Sequence, residues 1–287
     1  MKLLILGGTG FIGSSLKNYF ISKSKMKILC PTRKELNLTD FEDCKNYLKE
    51  NSPDIILHAA VELNSVENSV RMLFNFLDNS DKFGKLIYLG SGAEYNPKKY
   101  TKLMKEKKSV QSYPESGYYL SKYICGREIE AHKKKEIYNL RLFGVYGETE
   151  EFKRRFISNN ICRVLSGLPI SMNREMKFDF LYTIDLCKII ENFCFYKNPK
   201  FKTYNLCSGN PVRFSELAKV IKKTMNVKED IIIKNDGENQ EYSGNPERLF
   251  KEIGNFKFTK HETAIKKMCK FFEKKFVETD SYIIKDD

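Results

Sequence analysis

Short apolar runs alternate with longer segments of helical period along the first half of the chain. Residues 2–6 are almost wholly apolar, as expected of a strand buried on both faces. A helix is expected at 11–22, a second strand at 27–30, and a helix running to about 49 that Thr39 and Glu42 would open as a capping box. A third strand at 54–58, a helix at 65–79 and a fourth strand at 85–89 follow. A polar, lysine-rich loop covers 90–116, and then come a long helix at 117–134 and a strand at 137–142. This order predicts right-handed βαβ units and an α/β fold, a doubly wound parallel sheet with helices on both faces.

Past Gly147 the alternation loosens. Helices are expected at 153–166, 185–196, 214–225, 246–253 and 260–276, with short strands near 177–180, 203–206 and 230–233. Thr259 and Glu262 read as a second capping box. The last helix gathers Ala264, Ile265, Met268, Phe271, Phe272 and Phe276 on one face, a packing stripe. Residues 1–150 are expected to form a dinucleotide-binding domain, and 151–287 a smaller α/β substrate lobe from which some chain crosses back.

Composition narrows the class. Of 287 residues, 41% are apolar and 13% aromatic, enough for a sizeable core. No apolar run approaches the roughly 18 residues that span a bilayer, and the opening run leads into Gly7-Gly8 rather than a cleavage site. The expectation is a cytoplasmic protein with no membrane partner. Lys and Arg number 50 against 37 Asp and Glu, a net charge of +13. The lysines are scattered over polar helix faces, and the densest runs, 105–108 and 133–135, lack interleaved aromatics. That pattern fits a solvated surface rather than a nucleic-acid groove, although the surplus favours anionic ligands such as phosphates. Eight cysteines and three histidines show no zinc spacing, so no metal site is expected and the thiols read as reduced core residues.

The chemistry begins at Gly7-Gly8-Thr9-Gly10-Phe11-Ile12-Gly13, between the first strand and the first helix. Gly7 would make the tight turn, Gly10 would let a pyrophosphate approach the backbone, and Gly13 would let helix pack on strand. The first-turn N–H groups and the helix dipole then face the phosphates. This places a dinucleotide on a Rossmann-type fold. Enzymes that use NAD carry an acid at the end of the second strand for the ribose 2′-hydroxyl, whereas this chain has Pro31-Thr32-Arg33-Lys34. Arg33 suits a 2′-phosphate, so NADPH/NADP is the expected cofactor and NAD the alternative.

Tyr118 and Lys122 stand four residues apart on the long helix, where a cation on the same face favours ionisation of a phenol. Tyr119 and Tyr123 lack that relation to Lys122 and read as packing residues. Ser91 directly follows the fourth strand, at the sheet edge where ligands bind, and could hydrogen-bond a carbonyl.

Together with His58-Ala59-Ala60 and Arg141-Leu142-Phe143-Gly144-Val145-Tyr146-Gly147, these residues resemble the extended short-chain dehydrogenase/reductases. The resemblance continues through 179–186, 204–209 and 246–254, nearly the whole chain. The stretch 32–40 is similar to that of the GDP-fucose synthases and, less closely, the dTDP-4-dehydrorhamnose reductases. The resemblance implies a nucleotide-linked sugar as substrate and a homodimer through the helices at 65–79 and 117–134. It also implies that Asp40 lies near the adenine, that Ala59 and Ala60 line the cofactor, and that Leu142 and Phe143 flank the nicotinamide.

Departures from the family narrow the reaction. Gly92 and Ala93 stand where the 4,6-dehydratases carry an Asp-Glu pair, so elimination lacks its acid and base. The epimerising cysteine of the GDP-fucose synthases is also replaced by Ala93, and no histidine occurs between His132 and His261. Reduction of a 4-keto sugar remains, with Tyr118 as acid, Lys122 binding the nicotinamide ribose and Ser91 polarising the ketone. A 4-epimerase holding NAD and a non-catalytic NADP sensor are the alternatives.

Overall fold

The computed structural model describes residues 1–23, 25–107, 112–115, 117–195, 199–254 and 256–284. Lys108 and Ser116, in the expected lysine run and loop, and Tyr196, at the end of an expected helix, lie outside the described residues. In chain order the first half contains β1 (Lys2–Leu6), α1 (Phe11–Lys23), β2 (Lys27–Leu29), α2 (Phe41–Asn51), β3 (Ile55–His58), α3 (Val66–Leu77), β4 (Lys85–Ser91), α4 (Gly117–Ala131) and β5 (Ile137–Leu142). The second half contains β6 (Gly144–Tyr146), α5 (Phe156–Leu165), β7 (Ser171–Met172), β8 (Lys177–Phe178), β9 (Phe180–Tyr182), α6 (Thr183–Phe195) and β10 (Thr203–Leu206). It closes with β11 (Val212–Arg213), α7 (Phe214–Thr224), β12 (Ile232–Ile233), α8 (Glu247–Ile253) and α9 (His261–Glu278).

Six parallel strands form the central sheet in the order β10-β5-β4-β3-β1-β2, a Rossmann-like α/β fold. Its apolar strands alternate their side chains between two cores. Leu3, Ile5, Leu57, Ile87 and Leu140 face α1 and α6, while Leu4, Leu6, Ile56 and Leu86 face α2, α3 and α4. A third core joins α5, α7 and α9. β10 comes from the second half yet pairs with β5, and α8 packs on it through Leu249.

Several boundaries differ from expectation for local reasons. β4 runs on through Ser91 because Gly90 and Ser91 stay in register with Arg141 and Leu142 of β5. The strand expected at 177–180 is two strands with Asp179 between them. That carboxylate turns inward to accept from the Ser208 and Gly209 amides. Neither expected capping box forms. Asp40, not Thr39, caps α2, because Asn37 engages the Thr39 hydroxyl while Asp40 accepts from the Asp43 amide. Thr259 is drawn away by Asp185, leaving Lys260 at the N-cap of α9.

Glu150, buried ahead of α5, accepts from the Ser158 amide at 3.2 Å, and burial pushes its carboxyl up to about 7. A raised acid contributes stability below its unfolded pKa and loses it as pH rises through 7. Glu150→Gln is therefore expected to exceed wild type in stability by about 2–3 kcal/mol at pH 8 and by little near pH 5. Urea midpoints at the two pH values check this; an equal gap at both would contradict the buried acid.

Candidate active site

The site lies outside the carboxyl ends of the strands. β1 has β2 on one side and β3 on the other, so the chain leaves it toward opposite sides and opens a crevice at this switch point. Gly7 takes a left-handed φ of +78°, and a Cβ there would strike the Ala60 backbone at 2.7 Å. At Gly13 a Cβ would meet the Gly7 carbonyl at 2.1 Å, so α1 sits directly against the turn. Gly10 is different: its nearest neighbour is the Gly7 oxygen at 3.4 Å, leaving open space over the first turn of α1. This combination fits a pyrophosphate. Backbone approaches closely, and the first-turn amides have no partner within the helix.

A cavity of about 340 Å³ extends from the turn and is lined by Gly7, Thr9, Gly10, Thr32, Arg33, Ala59 and Ala60, among others. Arg33 is 87% exposed and stands 3.8 Å from Glu62, which lines the same cavity. Lys34 and Asp40 do not line it; Asp40 is engaged at its helix cap, and Leu38 and Thr39 form the wall instead. Asn68 lines this cavity as well.

The second cavity, about 670 Å³, shares Gly10 and Ala59 with the first and continues over β4 and β5. Phe11, Ile12, Gly13, Ser91, Tyr118, Lys122, Leu142 and Phe143 all line it. α4 brings Tyr118 and Lys122 to the cleft, with the Lys122 ammonium 5.8 Å from the Tyr118 ring centre. Lys122 is buried, donating to the Leu89 carbonyl at 2.8 Å and the Tyr88 hydroxyl at 3.0 Å. Beneath it, burial between Phe76 and Tyr88 holds His58 down to about 4, a neutral ring that donates through Nε2 to the Met72 carbonyl. Ser91 ends β4 and caps a single 3₁₀ turn, accepting from the Ala93 amide at 3.1 Å.

Under that turn lies a charged network. Arg141 Nε donates to Glu94 Oε2 at 2.5 Å, and Asn139 Nδ2 donates to both carboxylate oxygens at 2.9 and 3.1 Å. Burial opposes the Arg141 charge, but Glu94 beside it holds the guanidinium pK well above its ordinary range. The carboxylate fits because Gly90 and Gly126 leave room: a Cβ at either would meet a Glu94 oxygen at 2.5 or 2.2 Å. Glu94 thus ties together β4, β5 and α4, the elements that carry Ser91, Tyr118 and Lys122.

Tyr100, Arg155, Met176, Phe178 and Tyr242 also line the cleft, and sequence reasoning gave them no role. The Tyr100 hydroxyl is buried without a hydrogen-bond partner. Phe178 ends the two-residue β8, and none of the five falls within a recognisable spacing, so no local signal marks them. The eight cysteines are free, and no cluster of three potential metal ligands occurs among the described residues. No helix there is long and apolar enough to cross a membrane.

Comparison with known proteins places the chain. It is 25% identical to GDP-L-colitose synthase of Yersinia pseudotuberculosis over 309 aligned positions, covering 95% of this chain and 98% of the relative. It is also 25% identical to GDP-6-deoxy-D-talose 4-dehydrogenase of Aggregatibacter actinomycetemcomitans over 293 positions, covering 94% and 97%. Among solved structures it superimposes on the dTDP-glucose 4,6-dehydratase of Bacillus anthracis in complex with NAD, with a TM-score of 0.83 and 20% identity, covering 98% and 99%. The sequence model of the NAD dependent epimerase/dehydratase family matches residues 3–207, more than two thirds of the chain. A glycine turn at the sheet's switch point and a tyrosine–lysine pair lining one cleft with Ser91 therefore sit in a member of the NAD-dependent epimerase/dehydratase family.

Proposed function

We propose that this protein is an NADPH-dependent reductase of a nucleotide-linked 4-keto sugar. The observation that carries the reading is the convergence of Ser91, Tyr118 and Lys122 in one cleft continuous with the pocket at the glycine turn. The turn, the α1 amides, Ala59 and Ala60 would hold the cofactor, Leu142 and Phe143 would flank its ring, and Arg33 would grip a 2′-phosphate. Bound there, the cofactor supplies a hydride. Ser91 hydrogen-bonds the ketone oxygen, Tyr118 gives that oxygen its proton, and Lys122 supports the phenolate left behind. Gly92 and Ala93, which follow Ser91, have no side chain that could abstract a proton, which supports reduction over elimination. The Tyr100 hydroxyl, unpartnered at the cleft wall, suits a sugar hydroxyl. The likeness of both relatives, enzymes named for GDP-sugars, supports the substrate class. By the family resemblance the enzyme works as a homodimer through α3 and α4.

The test is incubation of the protein and NADPH with GDP-, dTDP-, CDP- and UDP-linked 4-keto sugars, following loss of reduced-nicotinamide absorbance. Consumption with one of them is the expected result. A second reading is a 4-epimerase that retains NAD. Glu62 favours it, because a carboxylate in the cofactor pocket accepts from a ribose hydroxyl and repels a phosphate. Arg33→Ala separates the two. On the NADPH reading it raises KM for NADPH about 10- to 100-fold more than for NADH, the worth of one charge-assisted contact. Equal effects, with NAD carried through purification, support the epimerase.

A further inference from the structure

Tyr242 enters the cleft from the second half of the chain, held in place by its own backbone. Its amide donates to the Lys177 carbonyl, and its carbonyl accepts from the Asp179 amide, both at 3.0 Å. The ring is buried among Tyr100, Phe143 and Phe178, with centroids 4.7 to 5.3 Å away. Its hydroxyl occupies the space that a side chain at residue 92 would need: a Cβ on Gly92 would lie 2.4 Å from that oxygen. The hydroxyl therefore sits beside the turn that Ser91 caps, and both side chains line the same cleft.

A serine oxygen has two lone pairs and one proton. The Ala93 amide already occupies one lone pair of Ser91. We infer that Tyr242 is a positioning residue for Ser91: its hydroxyl donates to the second lone pair, so that the only hydrogen bond left to Ser91 is the one its own proton makes, to the ketone oxygen. The inference rests on the reductase reading above and adds to it an orienting group from the opposite half of the chain. It also accounts for Gly92. The position where the dehydratase family members carry a carboxylate is here filled by the phenol of another segment, so the tyrosine and the missing side chain are two parts of one arrangement.

Tyr242→Phe keeps the ring and its three aromatic neighbours and removes only the oxygen. The test is a double-mutant cycle of wild type, Ser91→Ala, Tyr242→Phe and the pair, with kcat, KM and melting temperature measured on the 4-keto sugar that the panel identifies. Expected is a loss of about tenfold in kcat for Tyr242→Phe, the worth of one hydrogen bond, with KM nearly unchanged. In the Ser91→Ala background the same substitution should have no further effect on kcat, because there is no hydroxyl left to orient. A purely packing role would give multiplicative losses that track melting temperature. An active wild type with kcat undiminished in Tyr242→Phe, or with multiplicative losses, overturns the assignment and leaves the reductase reading standing. A wild type inactive on every sugar overturns the reading and the inference together.

Discussion

Tyr118→Phe is expected to fold, to bind cofactor as wild type does, and to lose turnover by about 10²–10⁴-fold, the usual contribution of a positioned acid. The substitution is conservative for the structure. The Tyr118 ring stands edge-on to Tyr119 with centroids 6.2 Å apart and lies 5.8 Å from the Lys122 ammonium, and a phenyl ring keeps both contacts. Lys122 stays in place as well, since it is anchored to the Leu89 carbonyl and Tyr88 rather than to Tyr118. Only the transferable proton is lost. Cofactor titration and melting temperature serve as controls, and turnover is read at saturating sugar. Undiminished turnover would remove Tyr118 as the acid.

The second large effect concerns stability. Glu94→Ala is expected to cost about 3–5 kcal/mol, because it leaves a buried guanidinium without its carboxylate. Glu94 is 1% exposed and Arg141 3%, so water cannot replace the lost partner. Arg141 keeps contacts to the Glu106 carbonyl at 3.0 Å and the Tyr95 hydroxyl at 3.4 Å, neither of which carries formal charge. Removing both charges in Glu94→Ala/Arg141→Met should recover much of the loss, since apolar replacement of a buried pair is often neutral. Urea denaturation of the three proteins checks it. A cost under about 1 kcal/mol for Glu94→Ala would mean that the network is not what fixes the Ser91 turn.

The sheet was legible in the sequence because its strands are buried on both faces, and apolar runs such as Ile55-Ile56-Leu57 have few other places to go. The glycine turn was legible for a similar reason: at Gly7 and Gly13 a Cβ collides with backbone, and that constraint is written in the residue type. Local polar signals were less dependable. Thr39 and Thr259 carried the right spacing for a cap, but Asn37 and Asp185 competed for their hydroxyls. Asp185 lies 74 residues from Thr259, a separation at which spacing says nothing. Asp40, given a place near the adenine by resemblance, also caps α2, a role the spacing had assigned to Thr39. The same limit hid the second wall of the cleft. Ser91, Tyr118 and Lys122 announce themselves at a strand end and on one helix face. Tyr100 and Tyr242 meet at 5.3 Å only because Met104 and Gly244 pair across the fold. Arg141 was visible as a residue of one motif, but its ion pair with Glu94 spans 47 positions and depends on room left by Gly90 and Gly126.

The central claim is that hydride passes from the cofactor to a sugar carbonyl in the cleft shared by Ser91, Tyr118 and Lys122. Its most direct test uses NADPH dideuterated at C4 of the dihydronicotinamide with the 4-keto sugar that the enzyme consumes, in ordinary water. The account predicts one deuterium on the former carbonyl carbon of the product, seen by NMR and as a mass increase of about one dalton, and none elsewhere on the ring. Product with protium at that carbon would contradict it.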